Sequence, residues 1–285
     1  MRLVTWNIQY GKGCDGVVDL VRIVADAKAL ADADVFCFQE VSLGFAALGG
    51  GADQFMALAA LLPDHRPVFY PAVETIDTHG VRHRFGNMTL SRLPILQVAN
   101  HLLPWPMATA VRSMRRHALE VTIGTDFGPL RVTNTHLEFH SPVQRDAQID
   151  RLLDLQQEAS THPMEAAFEH REPYSSLMVA ASGILCGDFN FDVSDPHHAR
   201  LHGATRPGLN YRDAWTIASP ADPRTPTCGV YDHAQWPDGP DCRDFIFVTE
   251  DLACRVRRVA VAGKTAASDH QPVLIEISDL HHDSS

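Results

Sequence analysis

Ile184-Leu185-Cys186-Gly187-Asp188-Phe189-Asn190 opens as an apolar run and closes on a glycine, a carboxylate and a carboxamide. An apolar run of this length bounded by turn residues reads as a buried strand. Residues two apart on an extended chain point the same way. Asp188 and Asn190 are therefore expected to project together from the strand end, with Phe189 turned into the core. A carboxylate can orient or deprotonate water, and an amide can donate to an oxyanion. The same residues also fit a strand end closed by an Asx turn. The rest of the chain separates the two readings, because other strand ends also finish in polar, chemically competent residues.

Residues 3–7 read as a strand ending at Asn7. Val35-Phe36-Cys37-Phe38-Gln39-Glu40-Val41 is nearly all apolar and delivers Glu40 at its end. Burying an unpaired carboxylate is costly, so Glu40 belongs at a mouth, on a cation or in an ion pair with arginine. Residues 118–123 and 130–135 read as a hairpin joined through Asp126-Phe127-Gly128, the second strand ending at Asn134-Thr135-His136. Arg243-Asp244 introduces a strand over residues 245–248, residues 256–261 form another, and Ser268-Asp269-His270 precedes the last, 272–277.

Helices alternate with these strands. Leu20, Ile23, Val24, Ala27 and Leu30 share a face at helical spacing. Phe55, Leu58, Ala59 and Leu62 predict a second helix, stopped by Pro63. Ser141-Pro142-Val143-Gln144 reads as a cap, a first-turn proline and a closing capping-box residue. Short strands are expected near residues 68–70 and 87–90, with His79, Arg82, His83 and Arg84 in the loop between them. Residues 160–182 carry no clear period. Residues 219–242 hold five prolines with Tyr231 and Trp236, and read as an ordered, functional loop. Tyr231, Trp236 and Arg84 are the candidate substrate contacts. No linker divides the chain, so one catalytic domain over residues 1–278 is expected, with a polar tail at 279–285.

The 285-residue chain carries a formal net charge of −11 and three lysines, Lys12, Lys28 and Lys264. Tight gripping of a nucleic-acid backbone rests on a basic surface, so an extended nucleic-acid footprint is not expected. None of the six cysteines forms a Cys-x-x-Cys pair, which fits a reduced compartment. The first residues already read as a strand rather than a leader, and no apolar run reaches membrane-spanning length. A cytoplasmic monomer without membrane insertion is the expectation.

Collected at strand mouths are Asn7, Glu40, His136, Asp188, Asn190, Asp244, Asp269 and His270. There is no thiolate cage for structural zinc. Hard carboxylates suit Mg²⁺ or Mn²⁺, and histidines beside a cation suit a phosphate. A serine hydrolase is disfavoured: no Gly-x-Ser-x-Gly elbow occurs, and Ser268, Asp269 and His270 are consecutive. Neither a Walker A nor a Rossmann glycine pattern is present.

The ordered set Thr5-Trp6-Asn7, Gln39-Glu40-Val41, Thr135-His136-Leu137, Gly187-Asp188-Phe189-Asn190, Arg243-Asp244-Phe245-Ile246-Phe247 and Ser268-Asp269-His270-Gln271-Pro272 resembles the endonuclease/exonuclease/phosphatase superfamily, the DNase-I-like fold. Each motif is short; six in the family's order, from residue 3 to about residue 277, make the resemblance specific. It implies a four-layer α/β sandwich: two mixed, mainly antiparallel sheets packed face to face with helices outside. It also implies roles. Glu40 would be the principal ligand of Mg²⁺ or Mn²⁺, with Asn7 beside it and Asp269 near the metal. Asp188, helped by Asn190, would orient or deprotonate the attacking water. His270, its ring fixed by Asp244, would contact the scissile phosphate, and His136 would hold another phosphate oxygen. The implied reaction is in-line attack of water on a phosphoester.

The superfamily includes DNases, abasic-site endonucleases, sphingomyelinases, inositol-polyphosphate phosphatases and tyrosyl-DNA phosphodiesterases. His136 fits the histidine-bearing branches better than the abasic-site enzymes, which commonly carry tyrosine in that role. The inositol-phosphatase spelling Trp-Cys-Asp-Arg is not seen. A phosphodiesterase or phosphatase acting on a small or exposed phosphoester is the favoured expectation. A nuclease or DNA-repair phosphodiesterase is second, and a catalytically inactive binding module of the same fold third.

Overall fold

The structure is a computed structural model, and it describes residues 1–109, 111–161, 180–203, 208 and 210–279. Most of the stretch without clear period and nearly all of the polar tail lie outside these residues. In chain order the strands are β1 (Arg2–Asn7), β2 (Val35–Leu43), β3 (Arg66–Ile76), β4 (Arg82–Ser91), β5 (Ile95–Leu102), β6 (His117–Thr125), β7 (Gly128–His136), β8 (Gly183–Asp188), β9 (Tyr211–Asp213), β10 (Asp244–Thr249), β11 (Val256–Val261) and β12 (Val273–Ile277). The α-helices are α1 (Leu20–Leu30), α2 (Gln54–Leu61), α3 (Pro142–Thr161), α4 (Pro196–Leu201) and α5 (Ala214–Ala218).

The strands form two six-stranded sheets, ordered β11-β12-β1-β2-β4-β3 and β5-β6-β7-β8-β10-β9. Each sheet is antiparallel except for one parallel pair at its centre, β1 with β2 and β7 with β8. Alternation along the strands makes the layers. Leu3, Val35, Cys37, Val132, Ile184, Cys186 and Ile246 fill the space between the sheets. Val4, Trp6, Phe36 and Phe38 face outward and bury Ile23, Val24 and Ala27 of α1 and Leu58 of α2. Leu185, Phe245 and Phe247 face the other way and bury Ile149, Leu152 and Leu153 of α3. The expected four-layer α/β sandwich is therefore the fold. Each fully buried large side chain contributes about 1.5–3 kcal/mol by leaving water.

Side-chain caps start the helices. Asp19 accepts the Val21 and Arg22 amides, Asp53 accepts the Met56 amide, and Ser141 Oγ accepts the Gln144 amide. The expected capping box at α3 does not close: Gln144 Nε2 donates to the Pro106 carbonyl at 2.8 Å instead.

Three other expectations change. Residues 79–84 are not a loop between short strands. β3 and β4 pair from Arg66↔Ser91 to Ile76↔Arg82, so Arg82, His83 and Arg84 are strand residues and only a tight turn remains. β5 is a strand without a clear sequence signal. Glu40 does not end its strand: β2 runs on to Leu43, and its register against β4 slips between Phe38 and Val41. Glu40 rides on that bulge, with φ 61°.

Candidate active site

Strand register assembles the site. Asn7 ends β1, His136 ends β7 and Asp188 ends β8; His136 lies opposite Asp188, and Asp188 opposite Asp244 of β10. Gly187 makes this register attainable. Its φ is +139°, and a Cβ there would sit 1.8 Å from the Thr135 carbonyl oxygen. The residues surround a cleft of about 540 Å³ at one edge of the sandwich.

Asp188 is the hub. Its Oδ2 accepts Asn7 Nδ2 at 3.0 Å and lies 3.4 Å from His136 Nε2 and 3.7 Å from His270 Nε2. Its Oδ1 accepts the Asn190 amide at 2.9 Å. That last contact is an Asx turn. The mechanism of convergence differs from expectation: Asn190 has φ 56° and is not extended, yet it lines the cleft beside Asp188, its Nδ2 tied to the Leu137 carbonyl at 2.9 Å. Phe189 packs into the core against Phe191, Phe245 and Phe247, as expected.

The two histidines sit in opposite charge states. Burial by itself would discharge His270, but Asp244, Asp188 and Asp269 together hold its pKa well above the ordinary value. Its Nδ1 donates to Asp244 Oδ2 at 2.8 Å. His136 is driven well below the ordinary value by burial, then by the charges of Arg116 and His270. These surroundings favour the imidazolium form of His270 and the neutral form of His136.

Glu40 is the group most in need of a cation. Asn7 Nδ2 donates to its Oε1 at 3.1 Å, and His136 Nδ1 lies 3.9 Å away. Burial, then the charge of Asp269, pushes its pKa up to about 7. Carboxylates and amides facing one cleft form a hard donor set that fits Mg²⁺ or Mn²⁺. Asp188, Asp244 and His270 also bring ligand atoms within 4.8 Å of one another. There His270 Nδ1 is already engaged with Asp244 Oδ2 at 2.8 Å, while its Nε2 stands 3.7 Å from Asp188 Oδ2. Asn7 Oδ1 accepts the Gln9 amide at 3.0 Å, while its Nδ2 bridges Glu40 and Asp188.

Residues 4–270 match the sequence profile described as Endonuclease/Exonuclease/phosphatase family. The chain belongs to this family. Its named activities all hydrolyse phosphoester bonds. No curated protein matches the sequence. Among solved structures, the chain is similar to the human Nocturnin catalytic domain with bound sulfate anion (18% identity, 98% of this chain and 93% of that one, TM-score 0.65). It is also similar to mannosyl-6-phosphatase from Bacteroides thetaiotaomicron (16% identity, 98% and 99% coverage, TM-score 0.66). A third is truncated TDP2 from Caenorhabditis elegans (16% identity, 96% and 95% coverage, TM-score 0.65). At these identities the likeness is one of fold.

Within the family's cleft lie all eight strand-mouth candidates except Asp244, which stands behind His270. Trp236 lines the cleft, donates to Asp269 Oδ2 at 3.3 Å and meets His270 edge-on. Tyr231 does not reach it; its hydroxyl donates to the Gly263 carbonyl at 3.1 Å. Arg84 is paired across the β3–β4 hairpin with Glu74 at 3.0 Å, outside the lining. Sequence reasoning passed over Tyr10, Phe85, Arg116 and Phe139, which line the walls. The pair Arg115-Arg116 just before β6 was the available signal. Among the described residues, the four non-glycine residues with positive φ are Gln9, Tyr10, Glu40 and Asn190, and all four line this cleft. Such conformations cost roughly 1–3 kcal/mol each and persist where the surroundings impose them.

No helix among the described residues is long and apolar enough to cross a membrane.

Proposed function

We propose that the protein hydrolyses small or exposed phosphoesters with the help of Mg²⁺ or Mn²⁺, by in-line attack of water on phosphorus. The observation that carries this reading is the convergence on Asp188 Oδ2 of Asn7, His136 and His270, beside the ionisable Glu40. When bound near Glu40 and Asp269, the cation would offset negative charge on the phosphoryl and leaving oxygens.

The chain's own groups supply the rest. Asp188, an acceptor fixed by Asn7 and the Asn190 amide, orients the attacking water and takes its proton. The His270 imidazolium, oriented by Asp244, donates to a phosphoryl oxygen through Nε2. Neutral His136 keeps one N–H for a second oxygen. Small size of the substrate is supported by the cleft volume, about 540 Å³, and by a net charge of −11 that disfavours long nucleic-acid contacts.

The test is a panel of phosphomonoesters and phosphodiesters assayed with Mn²⁺, with Mg²⁺ and with excess chelator. Turnover should require the metal. Asp188→Asn should lower kcat by roughly 10²–10⁴-fold with KM little changed. Full activity in chelator, or normal turnover in the variant, would overturn the proposal.

A further inference from the structure

Gln54 carries a polar amide to the buried side of α2. It opens that helix, is 1% exposed, and has both ends of its carboxamide engaged. Nε2 donates to the Tyr10 carbonyl at 2.6 Å, and Oε1 accepts the Ser42 amide at 2.9 Å. Tyr10 lines the cleft, and Ser42 stands two residues past Glu40 on β2. The glycine run 49–51 makes room for this arrangement. Gly49 has φ +74°, and a Cβ there would sit 2.8 Å from Gln54 Nε2.

The helix itself has no use for this group. Asp53 already caps α2 by accepting the Met56 amide, and Leu58 packs it on the sheet. The reason lies in β2. β1 covers β2 only as far as Asn7↔Gln39, and past Asn7 the chain bends into the turn Gln9–Gly11. From Glu40 onward β2 has lost that neighbour, and its buried amides still need partners. A glutamine amide carries an acceptor and donors, so it stands in for the missing peptide unit. It does so between two unusual backbones, since Tyr10 has φ 46° and Glu40 φ 61°. Such conformations persist where the surroundings impose them. One carboxamide holds the carbonyl of the first and an amide two residues from the second.

We infer that Gln54, seated by Gly49, is a positioning residue: its carboxamide fixes the Tyr10 turn against the β2 bulge and thereby sets where the Glu40 carboxylate meets the cation. This rests on the metal-assisted reading above and extends it to a side chain outside the cleft lining.

Mn²⁺ binding, measured by calorimetry on the whole chain without substrate, tests the position of Glu40 without turnover. Wild type should bind, and Gln54→Ala should bind roughly 10- to 100-fold more weakly. Gly49→Ala keeps Gln54 but crowds its Nε2; it should weaken Mn²⁺ by a smaller factor, and it serves if Gln54→Ala does not fold. In the double variant the Gly49→Ala effect on Mn²⁺ should vanish, because no carboxamide is left to displace. A lowered Tm with unchanged Mn²⁺ affinity in Gln54→Ala would make Gln54 a helix anchor only and overturn the inference. Additive effects of the two changes, or no Mn²⁺ binding by wild type, would overturn it as well.

Kinetics add a second readout. Turnover lost in Gln54→Ala should return as Mn²⁺ is raised, whereas Asp188→Asn should stay slow at any Mn²⁺ concentration. Failure of added Mn²⁺ to restore Gln54→Ala would count against a role through the cation. Mn²⁺ binding that depends on Gln54 in a protein that turns over no phosphoester would keep this inference and reject the hydrolase reading. Metal-dependent turnover with Mn²⁺ affinity untouched by Gln54→Ala would do the reverse.

Discussion

Gln39 donates its Nε2 to Asn134 Oδ1 at 2.7 Å, joining the two sheets directly behind the cleft, one residue before Glu40 and two before His136. Both side chains are fully buried. The same Nε2 reaches Thr5 Oγ1, and Asn134 Nδ2 donates to the Phe38 and Met88 carbonyls at 3.2 and 3.1 Å. Replacing Asn134 with leucine leaves several buried groups without partners. It should lower unfolding free energy by roughly 2–4 kcal/mol in denaturant titrations. Adding Gln39→Leu should cost less than the sum of the single changes. Strict additivity in the double-mutant cycle would show that the clasp carries no coupling.

Glu40 gives a prediction for metal removal. A carboxyl whose folded pKa is raised destabilises the folded state as pH rises from its unfolded value, about 4.3, toward about 7. Its side chain is 21% exposed, so water relieves part of that cost. At pH 8 in chelator, Glu40→Gln should be more stable than wild type by roughly 1–2 kcal/mol. Mn²⁺ should raise the Tm of wild type and leave that of the variant nearly unchanged. An equal rise in both proteins would place the cation elsewhere.

In the proposed mechanism His270 sets the alkaline limb. Its donor function needs the imidazolium, which persists well above the ordinary range, so activity should fall only as pH rises past that elevated pKa. Asp244→Asn removes the foremost group holding the charge. The limb should then move to lower pH by roughly 1–2 units. A profile unmoved by Asp244→Asn would mean that another group titrates there.

His117 sets an acid limit on stability. Burial, then Arg116, lowers its pKa to about 3. Its Nε2 accepts the Asn87 amide at 3.1 Å and its Nδ1 donates to Asn100 Oδ1 at 2.6 Å, which fixes the neutral tautomer. The unfolded chain takes up a proton near pH 6.5 that the folded chain refuses until about pH 3. Stability from this group is thus complete above about 6.5 and falls below it by up to about 1.4 kcal/mol per pH unit. His117→Gln can make the same two hydrogen bonds without titrating. It should flatten the pH dependence of stability between pH 6 and 4, and an unchanged slope would count against His117.

Asn7, Asp188 and Asp244 were legible because each stands at the edge of a largely apolar run, and His136 because it closes a hairpin strand; strand ends are set locally. The bulge under Glu40 was not, since it exists only as a register slip against β4. Arg84 looked available because its partner Glu74 lies across a hairpin whose strands proved far longer than expected. Tyr231 and Trp236 share one proline-rich loop, and only tertiary contacts decide that Trp236 meets Asp269 while Tyr231 turns to Gly263. Arg116 stands in no motif read from the sequence, and its partner Glu138 follows it by a whole hairpin. β5 lies at a sheet edge and carries a mixed polar pattern, so neither alternation nor a solid apolar run announces it.

The place of β12 has a consequence for synthesis of the chain. β1 pairs with β2 on one side and with β12, the last strand, on the other, and Trp6 Nε1 bonds to the His270 carbonyl at 2.9 Å. During synthesis, β1 waits until β12 has been made before its second edge is covered. An open edge of apolar composition invites pairing with other nascent chains. The His270 imidazole travels on the same segment, just ahead of β12. A chain that stops before residue 270 lacks both that imidazole and the strand that covers the second edge of β1.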